Sequence, residues 1–149
     1  MIQYRKGLVA DAPVITDFQL CMARETEDME LDPAVCAQGV LAVFANPALG
    51  EYYVAENDGQ VIGSLMITYE WSDWRNGMVW WIQSVYVIPE LRGRGVYAGL
   101  YACLRDIAVQ AGARGIRLYV DRRNTRAQQV YARLGMNGEH YHVFEWMNA

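Results

Sequence analysis

The segment Val85-Tyr-Val-Ile-Pro-Glu-Leu-Arg-Gly-Arg-Gly-Val-Tyr97 constrains this chain more than any other. It is an apolar strand pattern halted by Pro89, then a turn rich in glycine and arginine, then the start of a helical pattern. The first N–H groups of a helix have no acceptor inside it, and the macrodipole adds about half a positive charge there. Glycine lets an anion approach that backbone closely. The residue types therefore ask for a phosphate or pyrophosphate. A nucleotide loop of the Gly-x-x-x-x-Gly-Lys type is excluded, because the only lysine is Lys6. Gly93-x-Gly95-x-x-Ala98 fits the dinucleotide pattern, and Asp121 stands where a ribose-binding acid could sit. That leaves an NAD-binding oxidoreductase open, although only about 50 residues follow the loop, few for a doubly wound sheet.

The rest of the chain supplies one domain around this junction. Its 149 residues suit a single core. A strand is expected at residues 2–5 and a helix at 11–24. A second helix opens at Pro33 and ends before Asn46-Pro47. Strands follow at 52–56 and 61–69, joined by an Asn57-Asp58-Gly59 turn. Residues 70–77 read as a loop and 78–88 as a long strand. A helix at 94–111 stops before Gly112. A strand at 116–120, a helix capped by Asn124 and stopped at Gly135, and a last strand at 140–146 complete the order β-α-α-β-β-β-α-β-α-β. This is an α/β fold with a mixed sheet. No apolar run approaches a membrane span of about 18 residues, and the N-terminus lacks a signal-peptide core. Cys21, Cys36 and Cys103 are odd in number and widely spaced, and no Cys/His cluster has zinc spacing. These features fit a reducing cytoplasm with no membrane partner and no metal. His140 and His142 in the last strand have no second ligand cluster nearby in sequence.

Two motifs in order carry a resemblance. Arg92-Gly-Arg-Gly95-Val-Tyr97 is similar to the Gln/Arg-x-x-Gly-x-Gly/Ala loop of the GNAT superfamily of N-acetyltransferases, with the strand and Pro89 before it. Asn124-x-x-Ala127-x-x-x-Tyr131-x-x-x-Gly135-Met136 resembles that family's second motif, at the expected distance downstream. The resemblance spans essentially the whole chain, residues 1–149, as one N-acetyltransferase domain. It implies a mixed, mostly antiparallel sheet flanked by helices, and acetyl transfer from acetyl-CoA directly to an amine of a small molecule or peptide. It further implies that Val85 N–H polarises the acetyl carbonyl, with Tyr86 between Val85 and Val87 on the cofactor strand and Val87 pairing with the pantetheine arm. Arg92, Gly93, Arg94, Gly95, Val96, Tyr97 and Ala98 would wrap the pyrophosphate. Asn124 would contact the pantetheine, and Tyr131 would protonate the departing thiolate. Two positions depart from the family pattern. Tyr97 stands where a small residue is usual, which bears on acyl-chain preference. Trp81 stands where some members carry a catalytic glutamate, four residues before the carbonyl-polarising amide. A non-catalytic acyl-CoA sensor therefore stays open beside the enzyme. Relatives of this fold often pair, and apolar segments near the C-terminus allow a homodimer.

Charge bears on partners. The net charge of −4 argues against nucleic acid, but it conceals a split. Residues 1–91 hold 4 bases and 13 acids, whereas residues 92–133 hold 9 arginines and 2 acids. The basic stretch flanks the two motifs, where guanidinium forks suit phosphates. Arg92 and Arg94 are the foremost of these, with Arg122, Arg123 and Arg126 beside the second motif. In the acidic part, Glu25-Thr-Glu-Asp-Met-Glu-Leu-Asp32 carries five acids in eight residues. It reads either as a solvated loop or, through Glu25 and Glu27, as an attractor for a cationic amine. Trp71 and Trp74 either cover a sheet edge or make cation–π contacts with that amine, with Asp73 between them. The amine must lose a proton before it attacks. Glu70 is the leading candidate for the base, ahead of Glu25, Glu27 and Asp73.

Overall fold

A computed structural model describes residues 1–148. The strands are β1 (Ile2–Lys6), β2 (Glu51–Asn57), β3 (Gln60–Ser72), β4 (Gly77–Val87) and β5 (Gly115–Arg117). They lie in the order β1-β2-β3-β4-β5, with every neighbour antiparallel except β4 and β5, which are parallel. The mixed, mostly antiparallel sheet read from the sequence is thus present. The helices are α1 (Ala12–Glu27), α2 (Pro33–Ala45), α3 (Val96–Gln110) and α4 (Thr125–Arg133). Among the described residues, no helix is long and apolar enough to cross a membrane.

Chain contacts divide the protein into two compact units, residues 1–117 and Leu118 onward. In the first, strand alternation sends Tyr52, Val54 and Tyr86 to one face of the sheet, where they pack with Ala12, Ile15 and Phe18 of α1 and Val40 of α2. The opposite face meets α3, whose buried Val96, Leu100, Leu104 and Ala108 recur one turn apart. Tyr4 lies so close over Gly99 that a Cβ there would have no room.

Local chemistry accounts for most boundaries. The Asp32 carboxylate caps α2 by accepting from the N–H groups of Ala34 (2.9 Å) and Val35 (3.3 Å), with Pro33 in the first turn. Asp58 and Gly59, both with positive φ, make the β2–β3 turn. Four expectations are corrected in this unit, the first being that α3 starts at Val96 rather than at residue 94. Helix α1 continues past Arg24 to Glu27 and ends on left-handed Asp28, so Glu25 and Glu27 are helical rather than looped. Residues 70–72 belong to β3, because Glu70, Trp71 and Ser72 find ladder partners in Val79, Met78 and Gly77. Strand β5 stops at Arg117.

In the second unit, the Asn124 Oδ1 accepts from Ala127 N–H at 3.0 Å and opens α4. Gly135, with φ +89°, closes it through the Met136 N–H to Tyr131 carbonyl bond. Residues 140–146, expected as a strand, form none and are exposed. Alternating aromatic and β-branched residues qualify a segment for a sheet, but a strand also needs a neighbouring backbone to accept its bonds.

Candidate active site

The first unit's site starts from a break in a ladder. Strands β3 and β4 pair in register on both sides of Leu65, yet Ser64 faces Tyr86 while Met66 faces Gln83, so β4 carries one extra residue. Ser84 takes up the insertion with φ +55°. A bulge of this kind removes a residue from the ladder and re-aims its neighbours. It falls at Ser84-Val85, where the carbonyl-polarising amide was expected. The only local sign of it in the sequence is the polar pair Gln83-Ser84 interrupting an apolar run.

The other edge of β4 is open over the same stretch. Strand β5 pairs only with Val79, Trp80 and Trp81. From residue 82 to 87 no strand lies beside that edge among the described residues. The Ile88 N–H donates to the Ile62 carbonyl at 2.9 Å. Backbone groups of successive strand residues point to alternate edges, so the N–H and C=O of Val87 face the open side.

The chain then turns tightly through Pro89–Leu91 into the glycine loop. Gly93 (φ +75°) and Gly95 (φ +81°) are both left-handed. Gly95 is the N-cap of α3, where no side chain caps the helix and a Cβ would meet open space. Helix α3 thus presents its positive end behind a backbone that an anion can approach. Val96 is buried beneath it. Tyr97, the bulky departure from the family pattern, stacks on Tyr101 one turn on (6.4 Å between centroids), beside Ala98.

The two arginines of the loop differ. Arg94 is exposed and has neither an ion pair nor a hydrogen bond among the described residues. Arg92 is held in place. Its Nε donates to the Val87 carbonyl (2.8 Å), its Nη2 to Glu25 Oε1 (2.8 Å), and its plane lies 5.1 Å over the Tyr86 ring. Tyr86 in turn donates its hydroxyl to Glu25 Oε2 at 2.6 Å. These donors, Tyr86 first and then Arg92, hold the Glu25 carboxyl below the ordinary carboxylate range. Burial, and then the Glu25 carboxylate, push the Tyr86 phenol up. The sequence set Glu25 apart from Arg92 as acceptor and cofactor contacts; the fold bonds them to each other. Glu27, two residues on, is exposed.

Glu70 anchors a second cluster. Its Oε1 accepts from the Trp81 indole (3.1 Å) and from Arg117 (2.9 Å). Next to it, Gln83 donates to Thr68 across the same strand pair. These side chains share the sheet face that carries Tyr86, so Glu70 is brought against Trp81, four residues before Val85. Arg117, Thr68 and Gln83 were missed, since nothing in sequence ties residues 47 or 15 positions apart. Trp71 alternates to the opposite face from Glu70. Trp71, Asp73 and Trp74 are exposed at the hairpin end, and Trp71 pairs with Met78. Seven residues of strand separate Met78 from Val85, roughly 23 Å, so these three do not converge on the bulge.

Within the second unit, burial raises the Tyr131 phenol above its ordinary value. Asn124 spends its side-chain oxygen on the cap of α4. Asp121 is bound by Arg123, which lowers its carboxyl, and Arg122 bonds His142 Nδ1 at 2.8 Å.

Comparisons with known proteins bear on the family and the fold. Residues 14–136 match the model of the Acetyltransferase (GNAT) family. The structure described as a possible acetyltransferase from Clostridium difficile 630 superposes with a TM-score of 0.91 at 37% identity, covering 100% of this chain and 99% of that one. An uncharacterized N-acetyltransferase of Archaeoglobus fulgidus is 34% identical over 80 residues, 53% of this chain and 54% of that protein. The chain thus spans about half the length of that relative. An aminoalkylphosphonate N-acetyltransferase of Salmonella typhimurium is 26% identical over 126 residues, 85% of this chain and 81% of that protein.

Proposed function

The chain belongs to the Acetyltransferase (GNAT) family, and from that premise we propose that it transfers the acetyl group of acetyl-CoA directly to a primary amine, with residues 1–149 acting as one catalytic domain. The observation that carries this reading is the junction of β4 and α3. There, two left-handed glycines, an uncapped helix and the exposed Arg94 follow a bulged strand with an open edge. That combination fits a pyrophosphate followed by an amide-bearing arm. The backbone from Gly93 to Ala98 and the Arg94 side chain hold the phosphates, and Val87 pairs with the arm.

Val85 N–H donates to the thioester oxygen and stabilises the charge that attack places on it. The deprotonated amine nitrogen bonds to the carbonyl carbon, the carbon–sulfur bond breaks, and Tyr131 gives its phenolic proton to the departing thiolate, regaining one through water from the newly bonded nitrogen, which becomes the neutral amide. A phenol, whose usual value is about 10, keeps its proton at neutral pH as a general acid must, and burial raises Tyr131 further, which makes it the weaker acid. Because its ladder partner Val79 stands six strand residues, roughly 20 Å, before Val85, Glu70 receives the proton released by the ammonium through a chain of waters. Its support is its bond to Trp81, at the strand position where other members of the family carry a glutamate. Asn124 serves the second unit by capping α4, the helix that bears Tyr131. The name of the Salmonella relative supports a small amine as acceptor.

The test has two steps. Thermal-shift titration of the full chain with CoA and acetyl-CoA should give stabilisation that grows with concentration, and NAD should give none. Thiol release over a panel of amines should then detect turnover. Tyr131→Phe should lower kcat by about 10²-fold while changing CoA affinity far less. Equal loss of binding and turnover would make Tyr131 a binding residue instead. CoA binding with no thiol release from any amine would leave a sensor rather than an enzyme.

A further inference from the structure

We propose that Glu25 is a positioning residue for the cofactor loop, and that Arg92 serves that loop by clamping it to α1 and β4 rather than by contacting phosphate; this rests on the acetyl-CoA reading above. Three observations carry it. First, Glu25 lies in the last turn of α1, where the helix dipole disfavours an acid and where a polyanionic ligand nearby would disfavour it again. A carboxylate retained there has to act through geometry. Second, both its oxygens are taken by donors on β4 and the loop, Tyr86 and Arg92. Both shifts, the carboxyl down and the phenol up, keep the proton on Tyr86. Glu25 is therefore a fixed anion and not a proton acceptor.

Third, Arg92, with its side chain still 43% exposed, directs its Nε, its Nη2 and one face to the protein itself. Its Nε is on the Val87 carbonyl, its Nη2 is on Glu25, and its face is on the buried Tyr86 ring. Tyr86 is itself packed on Phe18 of α1 (5.0 Å). The bond from Arg92 to Val87 closes the turn through Pro89–Leu91, whose backbone is held by Leu91 N–H to Ile88 carbonyl (3.1 Å) and Arg92 N–H to Pro89 carbonyl (3.3 Å). It also satisfies one of the two backbone groups that Val87 presents on the open edge, leaving the N–H for the cofactor arm. The direction in which Gly93 and Gly95 leave the strand is thus set from a helix more than 60 residues earlier.

The clamp and a simple charge effect predict opposite signs. Calorimetric titration of CoA into the full chain, well below each variant's Tm, compares wild type, Glu25→Gln, Arg92→Lys and the double variant. Glu25→Gln should weaken CoA binding about 5–20-fold, although it removes a negative charge beside a polyanion. Arg92→Lys should lose as much, because an ammonium cannot reproduce the forked contacts. The double variant should be no worse than the weaker single one within about twofold, since both break one unit. In turnover the loss should fall on KM for acetyl-CoA more than on kcat. Tyr86→Phe, which keeps the ring and removes one bond, should move affinity the same way by a smaller factor. Unchanged or tighter CoA binding by Glu25→Gln overturns the proposal, as does wild-type affinity in Arg92→Lys, which would make Arg92 a point-charge ligand. A wild-type protein that does not bind CoA overturns the acetyl-CoA reading itself, and the clamp with it.

Discussion

The two halves of β4 are built from similar residues and do different things. Val79, Trp80 and Trp81 are paired on both sides, by β3 and by β5. Residues 82–87 are apolar apart from Gln83 and Ser84, yet one edge is open and the other is interrupted at Ser84. In the paired half, backbone groups are consumed and only side chains remain for chemistry, as in the Glu70, Trp81 and Arg117 cluster. In the open half, backbone groups are left without ladder partners on one edge among the described residues. Under the proposed function, the cofactor takes the half where the ladder fails, and the acceptor's chemistry falls to side chains where it holds. Substitutions in the open half should therefore move CoA affinity, and those in the paired half should move amine handling.

The largest effect is expected just beyond the open half. Gly95→Val forces a β-branched residue into φ +81°, a strain of about 1–3 kcal/mol, and puts a side chain where the ligand must approach. CoA affinity should fall on the order of 100-fold by calorimetry; a loss under threefold would detach the glycine loop from phosphate binding. Next comes the paired half. Glu70→Gln should reduce kcat/KM about 10–100-fold near neutral pH with CoA affinity intact. Its activity should approach wild type as pH rises toward the amine's own pKa, about 10. A defect that persists at high pH would remove Glu70 as the proton acceptor. The smallest effect is at the bulge. Ser84→Gly relieves a left-handed backbone at the cost of some unfolded-state entropy, and should stabilise the fold by about 0.5–1 kcal/mol, read as a Tm rise of roughly 2–4 °C. Destabilisation would mean that the Ser84 side chain, and not the backbone alone, holds the bulge.

How legible each part was depends on the range over which it is determined. The Pro33 helix start stands where it was read, whereas the turn sits at Asp58-Gly59 with Asn57 kept in β2, and α3 starts at Val96 with Gly95 as its cap rather than at residue 94. The extent of α1 was misjudged because an acid-rich helix end is locally unfavourable. It persists through Tyr86 and Arg92, 61 and 67 residues away from Glu25. The reach of β3 past Tyr69 was misjudged because Glu70-Trp-Ser resembles a loop until Gly77, Met78 and Val79 pair with it. The hairpin tryptophans were grouped with Glu70 by adjacency in sequence, whereas a period of two sends Trp71 to the other face.

By itself, then, the sequence determined the glycine-rich turn between strand and helix, to which the proposed function assigns an anion. The split in charge hinted at where ligands of each sign belong. Both are local or summed properties, written in residue type and order. Only the tertiary structure decided what each charge does. Arg92 and Glu25, read as contacts for two different ligands, are bound to each other, while Arg94, two residues from Arg92, points to solvent. The physical reason is that an ion pair depends on which side chains the fold brings within about 3 Å, and neither composition nor spacing records that distance.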